Sequence, residues 1–173
     1  VQPFSGTVTT RVRVNVTDSG GTPMFSDATS MSQTVTCSYD PNDKAVIPAG
    51  VDSVEHYTLF SDTLDYKIRF QNTGTDTAFV VIIRDTIDAG LDLTTLELVA
   101  SSHPVELSID SNRAAVFTFN NILLPDSNVD EPGSNGFVRY RIKSVQGLPE
   151  KTRVENTAFI YFDLNAPVET NTV

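Results

Sequence analysis

A single cysteine, no tryptophan and two methionines stand among 173 residues. One thiol cannot build a disulfide framework or a four-thiolate zinc site. Basic residues are also scarce: 12 Lys and Arg face 22 Asp and Glu, for a formal net charge of −10. A chain this acidic lacks the electrostatic footprint of a nucleic-acid binder or of a protein resting on anionic lipid. No run approaches the ~20 apolar residues that span a bilayer, so membrane insertion is not expected. The stretch from Val1 onward has neither the charged nor the apolar region of a signal peptide, which fits a mature protein or a fragment. Catalytic signatures are missing too: there is no GxSxG, no HExxH and no glycine-rich phosphate loop. His56 and His103 stand in no context that pairs them with a nucleophile, and Cys37 has no CxxC partner. No enzyme is expected.

What the chain does have is β-branched residues. It holds 20 Val and 21 Thr against 10 Ala, a bias that suits pleated surfaces and disfavours helices. Period-two alternation recurs in Thr10-Arg-Val-Arg-Val-Asn-Val16, Leu64-Asp-Tyr-Lys-Ile-Arg-Phe70 and Phe137-Val-Arg-Tyr-Arg-Ile-Lys143. Each puts one row of apolar side chains inward and a charged row in water, as in an antiparallel sheet with one wet face. The more continuous apolar runs at 78–83, 114–119 and 157–162 predict central strands covered on both sides or nearly so. Shorter strands are expected at 32–37, 44–47, 54–60, 96–100 and 105–109. Turn words such as Asn72-Thr-Gly74, Asp88-Ala-Gly90 and Asp110-Ser-Asn112 separate them. About ten short strands and no helical stripe predict an all-β fold, an Ig-like antiparallel β-sandwich with extra N-terminal strands. Residues 1–37 are too few to bury a core, so they are expected either to end a preceding module or to add strands to the sandwich of 38–173.

Several stretches carry a closer likeness. Ser38-Tyr-Asp-Pro-Asn-Asp-Lys44, Tyr66-Lys-Ile-Arg-Phe-Gln-Asn-Thr-Gly-Thr-Asp-Thr-Ala78, Arg84-Asp-Thr-Ile-Asp-Ala-Gly-Leu91 and Ile160-Tyr-Phe-Asp-Leu-Asn-Ala-Pro167 occur in order. With Leu124-Pro-Asp-Ser-Asn128 they resemble a repeat domain of large secreted Bacteroidetes surface proteins, over about residues 38–173. The resemblance implies an Ig-like sandwich in a long exoprotein of the type IX secretion class, displayed on or released from the cell. It transfers no catalytic residues.

Three kinds of site remain to be weighed. Asp126, Asn128, Asp130 and Glu131 place oxygens at the alternation a hard cation takes, and Asp40, Asn42, Asp43, Asp163 and Asn165 form two smaller clusters. They are the candidate ligands of a structural Ca2+, although the loop lacks the glycine and the twelfth-position glutamate of an EF-hand, and composition alone yields such spacing about as often as not. Lys44, on the first core strand, and Asn156, near the last, stand in the order of a lysine–asparagine isopeptide bond, which needs a buried acid beside them. The more ordinary reading of Lys44 is a solvated ammonium beside Asp40 and Asp43. Ser53, Thr63, Thr77 and Thr86 each follow an Asp and precede an aliphatic residue, which resembles the Bacteroidetes O-glycosylation acceptor. Tyr39, Tyr57 and Phe60 are the aromatics outside inward strand phases that a glycan site would use.

The function expected is therefore a non-enzymatic extracellular module: a stalk, spacer or adhesin repeat, capable of filament formation and of being rigidified by Ca2+, whose partners are neighbouring modules of the same chain or protein, with glycans or other cell-surface molecules as further candidates. The alternatives are a carbohydrate- or ligand-binding domain, with glycans as partner, and the accessory domain of a secreted hydrolase.

Overall fold

Thirteen residues from Ser5 to Thr17 form strand β1 and fourteen from Pro23 to Thr36 form β2, paired antiparallel from Ser5 opposite Thr36, with the register shifting at Val16/Thr17. The structure, a computed structural model, describes residues 5–17, 19–20, 22–36, 40–51 and 56–173. The chain divides into two compact units, Val1–Asp40 and Pro41–Val173.

Among the described residues the second unit contains nine strands. They are β3 (Asp43–Ile47), β4 (Thr63–Gln71), β5 (Ala78–Thr86), β6 (Leu91–Ser101), β7 (Glu106–Ile109), β8 (Ala114–Leu124), β9 (Asn135–Ser144), β10 (Ala158–Phe162) and β11 (Val168–Glu169). One sheet has the order β3-β4-β9-β6 and the other β11-β10-β5-β8-β7, with every pairing antiparallel. Among the described residues no helix is long and apolar enough to cross a membrane. The expected all-β sandwich is what forms.

Alternation explains the packing. On β4 the side chains of Leu64, Tyr66, Ile68 and Phe70 are buried while Lys67 and Arg69 face water, and β9 does the same with Val138, Tyr140 and Ile142. The three continuous apolar runs become β5, β8 and β10, the central strands of the second sheet, where Val81, Ile83, Phe117, Phe119 and Ile160 are fully enclosed. Each such side chain stabilises the fold by roughly 1.5–3 kcal/mol through burial. Aromatic rings stitch the two layers: Phe70 meets Phe119 at 5.2 Å between centroids, and Tyr140 stacks on Phe117 at 5.5 Å. Gly136 lies opposite Phe70 in the β4–β9 ladder, and a Cβ there would collide with the Phe70 ring, so glycine leaves the room that the ring fills.

The expected strand at 54–60 does not form as a unit. Val51 and Tyr57 make one antiparallel bridge, 58–59 are not strand, and 52–55 lie outside the described residues. β6 runs longer than the expected 96–100, since Leu91 and Asp92 already pair with Ser144 and Lys143 before the register breaks.

Candidate functional site

The inward phase of four strands is not wholly apolar. Lys44 shares the inward parity of β3 with Val46, Asp85 continues Val81 and Ile83 on β5, and Tyr140 lies between Val138 and Ile142 on β9. Asn156, two residues before β10, continues the parity of Ala158 and Ile160. All four are buried: Lys44 is 2% exposed, Asn156 1%, and Asp85 and Tyr140 0%. Burying a lone ammonium or carboxylate is costly, and pairing is what makes it tolerable.

The pairing converges on one oxygen. Lys44 Nζ donates to Asp85 Oδ2 at 2.5 Å, and the Tyr140 hydroxyl donates to the same oxygen at 2.6 Å. Asn156 Nδ2 donates in turn to the Tyr140 hydroxyl oxygen at 3.0 Å. The ammonium also lies 4.9 Å from the centre of the Tyr66 ring and 5.8 Å from that of Tyr140, within cation–π range of both. Two oxygens of the cluster, Asp85 Oδ1 and Asn156 Oδ1, are buried and have no hydrogen-bond partner among the described residues.

The surroundings set the protonation behaviour. Burial pushes the Lys44 ammonium down to about 8, against the opposing pull of the Asp85 carboxylate. Burial, with the charge of Asp85 adding to it, pushes Tyr66 up to about 12 and Tyr140 well above the ordinary tyrosine value. The cluster therefore holds an ammonium that gives up its proton more readily than an ordinary lysine, a carboxylate in hydrogen-bond contact with it, and a carboxamide. These are the parts of an acyl transfer to nitrogen.

A second fastening lies beside it. The Asn171 side chain accepts from the Lys44 backbone N at 3.0 Å and donates to the Lys44 carbonyl at 2.9 Å, so one carboxamide mimics a ladder partner on the outer edge of β3. Asn156 and Val173 exchange both backbone hydrogen bonds, at 2.9 and 3.0 Å. The first strand of the sandwich and its last residues are thus tied together at Lys44.

Lys44 is not the solvated ammonium that charge alone suggested. Its parity on β3 turns it inward, while Asp43 faces out and grips Arg69 through two bonds of 2.6 Å. Lys44 and Asn156 do meet in one cluster.

The other sequence candidates are turn-formers in place. Asp126 Oδ1 accepts from the backbone N of Asn128 and Val129, Asp130 Oδ1 accepts from Gly133 N, and Glu131 Oε1 takes a 3.4 Å contact from Gln71. Asn42 Oδ1 accepts from Gln71 N, and Asp163 Oδ1 accepts from Phe79 and Val80 N. Asp40 and Asn165 are exposed. Among the described residues no three His, Cys, Asp or Glu side chains gather as a metal-binding group. Of the glycosylation candidates, Thr86 is exposed, Thr63 and Thr77 are half-buried, and Ser53 lies outside the described residues. Tyr57 and Phe60 are exposed, 43% and 52%, whereas Tyr39 and Cys37 also lie outside. His56 Nδ1 contacts the Ala49 carbonyl, and His103 Nδ1 contacts Ser102 Oγ, itself engaged by the Phe137 backbone.

Sequence reasoning missed Asp85, Tyr140, Tyr66 and Asn171. The signal for Asp85 was parity: it stands two residues beyond Ile83 on an inward row, although its triplet Asp85-Thr86-Ile87 also reads as a glycosylation word. Asn171 carried no comparable signal, because its partner is backbone.

Comparison with known proteins agrees with this architecture. Residues 40–173 match the family described as Domain of unknown function (DUF7619). No curated protein matches in sequence. The fold is similar to the full-length major pilin SpaD of Corynebacterium diphtheriae (TM-score 0.51, 16% identity, 76% of this chain and 34% of that one). It is also similar to the N-terminal domain of the Streptococcus gordonii adhesin Sgo0707 (0.52, 15%, 86% and 34%) and to the Bacillus cereus major pilin subunit BcpA (0.50, 14%, 94% and 47%). The chain thus spans between a third and a half of each of these proteins. At such identities the likeness is one of fold.

Proposed function

We propose that this chain, which belongs to the DUF7619 family, is a non-enzymatic structural or adhesin module of an extracellular or cell-surface protein, a spacer that transmits force along a chain of modules. The observation that carries this reading is the fastening of the first strand of the sandwich to its last residues, through Lys44 and Asn171. Tension applied at the two ends of the module loads this fastening, two hydrogen bonds from one carboxamide, together with the buried polar cluster beside it. The pilin and adhesin with the same fold support the setting. The resemblance to repeats of secreted Bacteroidetes surface proteins is the finer form of the same reading, with neighbouring modules of the same chain or protein as partners.

Single-molecule pulling from the two chain ends tests it. The native module should resist with a distinct force peak, and Asn171→Ala should lower that peak while costing only about 1–3 kcal/mol at equilibrium, the range for removing a partner from buried backbone groups. A native module that extends without a resolvable peak, or an Asn171→Ala module as strong as the native one, would remove the mechanical role.

A further inference from the structure

We infer that Lys44 and Asn156 become joined by an amide bond between Nζ and Cγ, formed inside the folded sandwich with Asp85 relaying the protons and ammonia leaving. The inference goes beyond the spacer reading and does not depend on it, since it concerns a bond present or absent whatever the module does.

Geometry supplies the reactants. Nζ and the Asn156 carboxamide belong to one continuous hydrogen-bond chain, running from Nζ to Asp85 Oδ2, on to the Tyr140 hydroxyl and then to Asn156 Nδ2, with contacts of 2.5, 2.6 and 3.0 Å. Both side chains are buried, Lys44 on β3 and Asn156 two residues before β10, the arrangement in which effective concentration is high and competing hydrolysis is suppressed. Burial keeps the amine available as a nucleophile, with a pKa of about 8.

The atoms balance without a cofactor. Asp85 takes one proton from the Lys44 ammonium, and the free amine adds to Asn156 Cγ. The carboxyl group shuttles a second proton from the attacking nitrogen to Nδ2, the Cγ–Nδ2 bond breaks, and ammonia departs. Three of the five hydrogens on the two nitrogens leave with ammonia, one stays on the new amide, and one remains on Asp85. Nothing is oxidised or reduced.

The same scheme explains the two orphaned oxygens. Asp85 Oδ1 and Asn156 Oδ1 are both acceptors, so an ion pair with a free carboxamide leaves each without a donor. A proton retained on the carboxyl group turns one acceptor into a donor for the carbonyl of the new amide. A plain buried salt bridge provides no such donor.

The test is the intact mass of the full 173-residue chain, followed by tandem mass spectrometry of a proteolytic digest. The native protein should weigh about 17 Da less than its sequence, one ammonia lost, and the digest should contain a branched peptide joining the Lys44 and Asn156 segments. Lys44→Met and the isosteric Asp85→Asn should each restore the sequence mass. A native chain at full mass overturns the bond, and so does a deficit that maps to a succinimide within one linear peptide. A branched peptide persisting in Asp85→Asn overturns the role of Asp85. Should either variant fail to fold, the branched peptide in the native chain decides the bond on its own.

Discussion

Replacing Asp85 by alanine is expected to lower the stability of the sandwich by at least about 3–5 kcal/mol in urea titration at neutral pH, because a buried ammonium is left without its anion. Nothing else in the cluster substitutes for the carboxylate: Tyr66 and Tyr140 offer ring faces to Lys44, and the Tyr140 hydroxyl spends its proton on Asp85 itself. The companion experiment is the double change Lys44→Met with Asp85→Leu. Apolar replacements of both partners of a buried pair commonly recover or exceed the native stability. If charge pairing is all that the cluster provides, the double variant matches the native chain. If Lys44 is also tied to Asn156, it falls short by the worth of that tie. An Asp85→Ala chain as stable as the native one would mean that the ammonium reaches water or another anion, contrary to its burial.

Asn156→Ala isolates the tie. It keeps the Lys44–Asp85 pair and removes only the carboxamide, so the inferred amide cannot close the chain between the two positions. In the chain-entropy picture a covalent closure of about 100 residues is worth about 4.7 kcal/mol, and a loss of roughly 4–5 kcal/mol is expected. Removing a single hydrogen bond to the Tyr140 hydroxyl would instead cost about 1 kcal/mol. The pH profile gives a second signature. In Asn156→Ala the Lys44 amine is free, with a folded pKa of about 8 against the ordinary 10.5. Between those values the unfolded chain binds the extra proton, so stability should rise with pH. Tyr66 acts in the opposite direction: its folded value of about 12 lies above the ordinary 10.0, so stability falls once the unfolded phenol ionises above pH 10. The variant should therefore become more stable from about pH 8 to about pH 10 and less stable beyond. With the inferred bond in place, an amide nitrogen replaces the amine in the native chain, and the rise should be absent. A similar rise in both proteins would count against the tie.

Much of this architecture was written in side-chain parity. The alternation of Leu64, Tyr66, Ile68 and Phe70 and of Val138, Tyr140 and Ile142 became two adjacent strands of one sheet, paired residue for residue. The continuous runs became the three central strands of the other sheet, with the inward row buried and the outward row half-buried or, at Phe79, exposed. The polar cluster was half legible. Lys44 and Asn156 were visible as a pair by their order along the chain, but the charge of Lys44 argued for solvent where its parity on β3 argued for the core, and parity was right. Asp85 was hidden for the same reason, since an acid at the end of a strand reads as turn chemistry unless its row is followed inward. In Asp126, Asp130 and Asp163 one carboxylate oxygen, Oδ1, accepts from backbone amides, a use of aspartate that turn chemistry in the sequence does announce. The Asn171 fastening was not legible, because a side chain that bonds to backbone leaves no pattern in its partner's sequence. The short bridge at Val51 and Tyr57 could not be separated from a strand by composition alone.

The most direct measurement is the extended length of a single molecule pulled from its two ends until the sandwich has opened. With Lys44 and Asn156 joined, residues 1–43 and 157–173 lengthen but the roughly 110 residues between the tied positions do not, so the native chain should stop short of Asn156→Ala by roughly 400 Å. Native and variant chains reaching the same length would contradict the tie between the first and last strands.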